Sequence, residues 1–293
     1  MAGSVRHLET FLAAQPSVVR VVVTRVRGSS PRNAGTEMFV AERSMAGTIG
    51  GGQLEFRAID AARQMLRAGD LNRRMDVPLG PEIGQCCGGR VELELSRMRV
   101  SDKRRAVDCA RERAEKLPHV YVLGSGHVGR ALANQFQHMP VACVLIDTRA
   151  GEIDQCTAAV ETRVSALPEA DIWTAPPGSA FVIQTHDHGL DFLLTSAALE
   201  RGDAAYVGMI GSATKRAKFR NWARTHCDGQ TIEHLNCPIG ANGSRDKRPS
   251  VIAAFVVAEV MAELTSDPAA TVPIGAHQAP VPGHHHDREG IPA

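Results

Sequence analysis

Apolar residues in the second half of the chain occur in short runs that alternate with segments of helical spacing. The runs predict strands over 120–123, 142–146, 180–184 and 205–210. The helical segments lie over 128–138, 191–201, 215–225 and 250–264. Such alternation predicts a parallel sheet with helices on both faces. We therefore expect a Rossmann-like α/β domain over residues 118–265.

The N-terminal part of the chain shows no such regular alternation. Helices are predicted over 5–15 and 53–68, and strands over 18–26, 36–41, 73–79 and 90–96. These elements predict a smaller α+β domain over residues 1–98. Residues 99–117 are rich in charge and helical in pattern, which favours a solvated linker helix, with a docking surface for a partner as the alternative.

Composition narrows the classes of function. The chain has 293 residues, enough for two domains with cores of their own. A net charge of +1 and an aromatic content of 4% argue against nucleic acid as a partner. No apolar run is long enough to span a membrane, so we expect no membrane association.

The cysteines and the N-terminus favour a cytoplasmic protein. Seven cysteines without regular spacing do not form a disulfide framework, which favours a reducing compartment. No signal-peptide pattern is present at the N-terminus.

Residues 266–293 are rich in Pro, Gly, Ala and His, which predicts a disordered tail. The run at 284–286 is either a metal-binding tract or an incidental polar tail.

A glycine fingerprint follows the strand at 120–123. Gly124, Gly126 and Gly129 are spaced as in dinucleotide-binding loops, where they serve the tight turn, the phosphate approach and the helix–strand packing. His127 occupies a position that faces the ligand, and Asp147 ends the next strand, where an acidic residue meets a ribose hydroxyl. The alternative is a Rossmann-like domain that binds no dinucleotide.

Two further motifs follow strands of the same predicted sheet. His186 and His188 lie just beyond the strand at 180–184 and are candidates for metal or anion binding, against a simple role in capping and turns. Gly211, Ser212 and Lys215 lie at a strand–helix junction that suits an anion. An ordinary turn is the alternative there.

The N-terminal part holds two candidate ligand loops. The glycines Gly50, Gly51 and Gly52 precede a helix, so their amides suit a phosphate, and Arg32 suits a bidentate phosphate contact. A purely conformational role for these glycines is the alternative. Cys86 and Cys87 stand together in a glycine-rich loop, where thiols suit a soft metal or a sulfur-bearing ligand, against the alternative of inert thiols.

Taken together, these motifs resemble the XdhC/CoxI family, the xanthine dehydrogenase accessory proteins. The matching segments occur in the family's order and cover about residues 15–265, at 28–35, 47–55, 85–89, 124–129, 185–188, 208–212 and 237–240. The segment 241–249 departs from the family pattern by being more polar, so no ligand contact is carried over to it.

The resemblance implies an accessory protein rather than an enzyme. Such proteins bind the molybdenum cofactor (molybdopterin-bound molybdenum), favour its sulfurated form made with a cysteine desulfurase, and pass it to apo xanthine dehydrogenase. They usually form homo-oligomers. On this basis Cys86 or Cys87 lies near molybdenum, and Arg32 or Lys215 holds the cofactor's phosphate together with glycine amides.

Two other functions stay open from the residues alone. An NAD(P)-dependent oxidoreductase is consistent with the glycine fingerprint, although no acid/base constellation completes it. A nucleotide-sensing regulator, whose Rossmann-like half gates cofactor transfer, is consistent with the same fingerprint.

Overall fold

A computed structural model describes residues 2–80, 88–241, 243–244 and 246–265 of the chain. Two separate sheets form in these residues, one antiparallel and one parallel. The parallel sheet lies in the C-terminal half and carries helices on both faces, which confirms the predicted fold class. Among the described residues, no helix combines the length and the hydrophobicity needed to cross a bilayer.

The N-terminal sheet has five strands in the order β3-β2-β1-β5-β4. In chain order its elements are α1 Ala2–Ala14, β1 Val19–Arg27, β2 Glu37–Val40, β3 Met45–Gly47, α2 Gly52–Ala68, β4 Asn72–Leu79 and β5 Gly89–Arg97. Helix α2 packs on one face because its apolar positions recur every three to four residues. They meet the inward-facing valines and leucines of β1 and β5 in one core.

Helix α3, Val100–Glu115, covers part of the opposite face. Its residues Ala106 and Val107 are buried against Phe11 and Leu12 of α1 and Phe39 of β2. The helix therefore has one packed face in addition to the solvated, charged face that its sequence predicts.

The C-terminal sheet has six parallel strands in the order β11-β10-β9-β6-β7-β8. Its strands are β6 His119–Leu123, β7 Ala142–Asp147, β8 Glu161–Val164, β9 Ala180–Ile183, β10 Tyr206–Met209 and β11 Leu235–Asn236. Its helices are α4 His127–Phe136, α5 Ala150–Ile153, α6 Pro168–Thr174, α7 His188–Glu200, α8 Ala213–His226 and α9 Pro249–Thr265. Numbered within the domain, this order is 6-5-4-1-2-3, the arrangement of dinucleotide-binding domains.

Two cores lie on the two faces of this sheet. One joins α4 and α9 around Phe136 and Val256, and the other joins α7 and α8 around Leu194 and Phe219. The sequence pattern missed β8 and β11. Strand β8 is a mostly exposed edge strand with charged residues, and β11 has only two residues, so neither forms an apolar run.

Candidate functional site

The carboxyl ends of β6 and β9 form the centre of the candidate site. These strands are neighbours, but the helices that follow them, α4 and α7, pack on opposite faces of the sheet. Such a switch point opens a crevice in which ligands of this fold bind. Gly124 lies at the crevice with φ of 116°, and a Cβ there would lie 2.5 Å from the carbonyl oxygen of Gln184. Only glycine therefore fits this turn.

The two later glycines of the fingerprint have different roles. A Cβ on Gly129 would lie 1.9 Å from the carbonyl oxygen of Gly124 and 2.2 Å from Nε2 of Gln184, so Gly129 is required for packing. A Cβ on Gly126 would meet nothing within 4 Å. The space beside Gly126 is open, as the approach of a ligand requires.

The first turn of α4 offers backbone donors. Gly126 is the N-cap of this helix without a side-chain cap, and His127 is exposed at its first position. Among the described residues, the amides of His127, Val128 and Gly129 have no hydrogen-bond acceptor. Unpaired amides at a helix N-terminus favour a bound anion.

Asp147 holds the loop in place from the end of β7. Its Oδ2 accepts hydrogen bonds from the Ser125 amide at 2.7 Å and from Nη2 of Arg149 at 3.1 Å. Its Oδ1 accepts from the Arg149 amide at 2.9 Å and from Nε at 3.0 Å. Burial acts to raise the pKa of this carboxyl, but the hydrogen bonds from Arg149 and Ser125 outweigh it and lower the pKa. The predicted contact of Asp147 with a ribose would compete with these bonds.

A small cavity lies beneath this loop. It is lined by residues that include Gly124, Asp147, Pro168, Thr185 and His186, and its volume is about 10 Å³. That space holds about one water molecule. A nucleotide would therefore lie over the crevice, against the loop and α4.

A buried ion pair joins helices α7 and α8 near the ends of the neighbouring strands β9 and β10. Nζ of Lys215 on α8 donates to Oδ2 of Asp191 on α7, and these side chains are 11% and 1% exposed. Oδ1 of Asp191 accepts from both the amide and the hydroxyl of Thr185 at 2.8 Å. Sequence reasoning named Lys215 but missed Asp191, whose signal is an acidic residue in an otherwise apolar helix start.

The residues around Lys215 explain two of the predicted site positions. A Cβ on Gly211 would lie 2.6 Å from Cδ of Lys215, so this glycine makes room for the lysine side chain. Ser212 is the N-cap of α8 and accepts from the Lys215 amide at 3.3 Å. These internal roles account for both residues, and their predicted anion contact stays a prediction.

Cys237 lies next to this ion pair at the end of β11. Burial raises the pKa of its thiol, against the opposing charges of Lys215 and Arg216. The buried thiol is therefore protonated at neutral pH.

The two histidines beyond β9 are exposed. Between them, Asp187 is the N-cap of α7 and accepts from the Leu190 amide at 2.8 Å. In the part of the chain that the structure describes, no group of three His, Cys, Asp or Glu side chains is placed to hold a metal ion. An anion contact of His186 stays a prediction, as does one of His188.

In the N-terminal part, the glycine loop already holds an anionic group of the protein. Oε2 of Glu55 accepts from the amides of Ile49 at 3.1 Å and Gly51 at 3.2 Å, and from the hydroxyl of Thr48. The amide of Gly50 donates to Oγ1 of Thr48 at 3.1 Å. A phosphate in this loop would have to displace Glu55, whereas the Gly52 amide has no acceptor among the described residues.

The loop that carries Arg32 joins the other N-terminal motifs. A Cβ on Gly50 would lie 2.7 Å from Cγ of Pro31, and Ser29 pairs with Gly88 in an isolated bridge. Arg32 is exposed, and its guanidinium has no partner among the described residues. Cys86 and Cys87 lie in 81–87, outside the described residues, as does the predicted tail. Their chain neighbour Gly88 is nevertheless part of this group of loops.

Comparisons with known proteins extend over most of the chain. A model of the XdhC Rossmann domain matches residues 120–260, and a model of the XdhC and CoxI family matches residues 11–75. The chain is 26% identical over 248 residues to the uncharacterized protein YqeB of Escherichia coli (strain K12), with 80% of this chain and 41% of that protein covered. It thus spans about two fifths of that relative's length.

A solved structure shares the fold. It is described as a xanthine dehydrogenase from Bacillus halodurans, and it matches with a TM-score of 0.75 over 92% of this chain and 98% of that chain. The two sequences are 20% identical, so this likeness establishes the arrangement of the elements.

Proposed function

Since this chain belongs to the XdhC/CoxI family of accessory proteins for xanthine dehydrogenase maturation, we propose that it carries the molybdenum cofactor. In this proposal it binds the molybdopterin-bound metal, protects its sulfurated form and delivers it to apo xanthine dehydrogenase. The cysteine desulfurase that supplies the sulfur, the apoenzyme and a second copy of this chain are its proposed partners.

The observation that carries the proposal is that the segment 28–32 lies against both the glycine loop and Gly88, at one end of the N-terminal sheet. The segment 28–32 contacts the glycine loop through Pro31 and Gly50, and it meets the end of the cysteine segment through Ser29 and Gly88. Motifs that are far apart in the chain therefore meet at one place. The described residues offer a cation and backbone amides, which suit a phosphate, and we propose that Cys86 and Cys87 add thiols, which suit a soft metal.

Each of these groups has its own task in the proposal. Arg32 presents an exposed guanidinium without a partner among the described residues, so it is the first candidate to bind the cofactor's phosphate. The amides of Ile49 and Gly51 are engaged by Glu55, so they bind phosphate only after that carboxylate moves. The thiolates of Cys86 and Cys87 would supply soft ligands beside molybdenum.

The test is cofactor retention by purified protein after incubation with the molybdenum cofactor and gel filtration. The double variant Cys86→Ser/Cys87→Ser is expected to lose molybdenum and molybdopterin while its circular dichroism stays unchanged. Cys109→Ser, at an exposed cysteine on α3, is the matched control and should retain both. Equal retention by the double variant and the control would refute the assignment of the thiols.

A nucleotide-sensing role for the Rossmann half is a second candidate. It is favoured by the strand order and by the open space beside Gly126 at the unpaired amides of α4. Gly126→Ala should weaken binding of ADP or NAD at least tenfold in calorimetry, because a methyl group there would meet the phosphate. Gly151→Ala, at a glycine that also has nothing within 4 Å of its Cβ position, is the control.

The outcomes separate the remaining alternatives. Nucleotide affinity that depends on Gly126 and changes the association with apo xanthine dehydrogenase would support the regulator. Tight nicotinamide binding with turnover of a small substrate would instead favour the oxidoreductase. If the unaltered protein binds no nucleotide, both the regulator and the oxidoreductase are excluded.

A further inference from the structure

A groove on the N-terminal sheet is lined by residues other than those of the Arg32 loop and the glycine loop. It runs between α3 and the strands β1, β4 and β5, and its volume is about 570 Å³. Its lining is strongly basic, with five arginines against two carboxylates. The arginines are Arg20, Arg97, Arg99, Arg105 and Arg113.

Neutralisation of these charges is uneven. Glu37 accepts ion pairs from both Arg20, at 2.6 Å, and Arg113, at 2.5 Å. Asp102 pairs with Arg105 at 3.3 Å. The two remaining arginines have no such partner among the described residues, and both line the groove.

One of these two, Arg97, donates from Nη2 to the hydroxyl of Ser17 at 3.2 Å, which leaves its charge uncompensated. The other, Arg99, pairs with no described carboxylate through its guanidinium. Two arginines whose charges are not compensated suit carboxylate ligands, which a guanidinium binds in bidentate geometry.

The groove also has an apolar side. Leu71 is 62% exposed at its edge, and Met98 and Ala106 are buried beneath it. A small inorganic anion would bind the arginines and leave Leu71 exposed to water. A peptide that carries carboxylates around an apolar side chain would contact both the arginines and Leu71. We propose that this groove binds an acidic segment of a partner protein, with its carboxylates on Arg97 and Arg99 and an apolar side chain on Leu71.

The groove lies at one end of β4 and β5, and the residues that flank the cysteine segment lie at the other end. The groove lies where Asn72 pairs with Ser96, and the cysteine segment leaves the same two strands where Leu79 pairs with Gly89. These pairs are seven residues apart along β4, or about 24 Å at roughly 3.4 Å per residue. The proposal is independent of what the loops bind.

The experiment uses the full chain and an array of synthetic ten-residue peptides in which four glutamates surround one leucine. Fluorescence anisotropy gives the affinity of each labelled peptide that binds. Arg97→Gln/Arg99→Gln should weaken binding at least tenfold, and replacing the glutamates by glutamine should do the same. Arg43→Gln/Arg67→Gln, an equal charge change at two exposed arginines outside the groove, should change affinity less than twofold.

Circular dichroism of each variant establishes that it is folded, and a peptide with serine for leucine measures the apolar contribution. Affinity that falls in the double variant and in the serine peptide supports the proposal. Failure of every peptide to bind would overturn it, as would equal binding by the double variant. Displacement by inorganic pyrophosphate at the peptide's own concentration would also overturn it, because the groove would then be a small-anion site.

Discussion

The buried pair of Asp191 and Lys215 allows a quantitative test of how the candidate site is held together. Removing one partner of a buried ion pair leaves an uncompensated charge, which costs about 3–5 kcal/mol. In Lys215→Met, the carboxylate keeps its two hydrogen bonds from Thr185 at 2.8 Å, which offset part of the loss. We therefore expect this variant to lose about 3 kcal/mol in its free energy of unfolding.

In Asp191→Asn the amide oxygen can still accept from Thr185, but the ammonium group loses its counter-charge. The lysine side chain is 11% exposed, so it regains some water, and we expect a loss of about 2–3 kcal/mol. The double variant Asp191→Asn/Lys215→Met removes both charges. Its loss should fall below the sum of the two single losses by about 2 kcal/mol, since neither charge is then left alone.

Urea unfolding followed by tryptophan fluorescence measures the free energy of unfolding of the C-terminal half, which contains the ion pair. The protein has two tryptophans, Trp173 and Trp222, and both belong to the C-terminal half. Lys218→Met, at an exposed lysine on α8, is the control and should change stability by less than about 0.5 kcal/mol. Single-variant losses below about 1 kcal/mol, or strictly additive losses, would refute the reasoning that the pair is buried and coupled.

Three further predictions concern the same half of the chain. Phe136→Ala should lose about 3–5 kcal/mol in urea unfolding, since this fully buried ring fills the core between the sheet, α4 and α9; a loss below about 1 kcal/mol would contradict that packing. The lowered pKa of Asp147 gives stability that is present at neutral pH and lost as the pH falls below the ordinary carboxyl value of 3.8. Arg149→Met should therefore raise the pKa of Asp147 in an NMR titration and shift acid unfolding to higher pH, and an unchanged titration would rule this out. Burial raises the pKa of the Cys143 thiol to about 12, so iodoacetamide at pH 8 should alkylate the exposed Cys109 before Cys143, as read by mass spectrometry; equal rates at these two cysteines would be inconsistent with the burial of Cys143.

The local pattern of the sequence was sufficient to predict the main architecture. Apolar runs that alternate with helical segments predicted the parallel sheet, because strand and helix periodicities are properties of neighbouring residues. The glycine spacing at 124–129 predicted the loop for the same reason, and Gly124 and Gly129 are indeed positions where a Cβ does not fit. Edge strand β8 has no such pattern, because an exposed strand needs no apolar face.

Only the tertiary structure decided which polar groups meet. Asp191 and Lys215 are 24 residues apart, and their contact depends on how α7 and α8 pack beside neighbouring strands. The hydrophobic periodicity of the sequence does not indicate which distant polar residues will pair. The glycine loop at 50–52 was predicted to offer its amides to a phosphate, whereas Glu55 folds back to accept two amides of the loop 49–51. The identity of residues thus determined the elements and the available chemistry, and long-range packing determined which of these groups are free and which are already engaged.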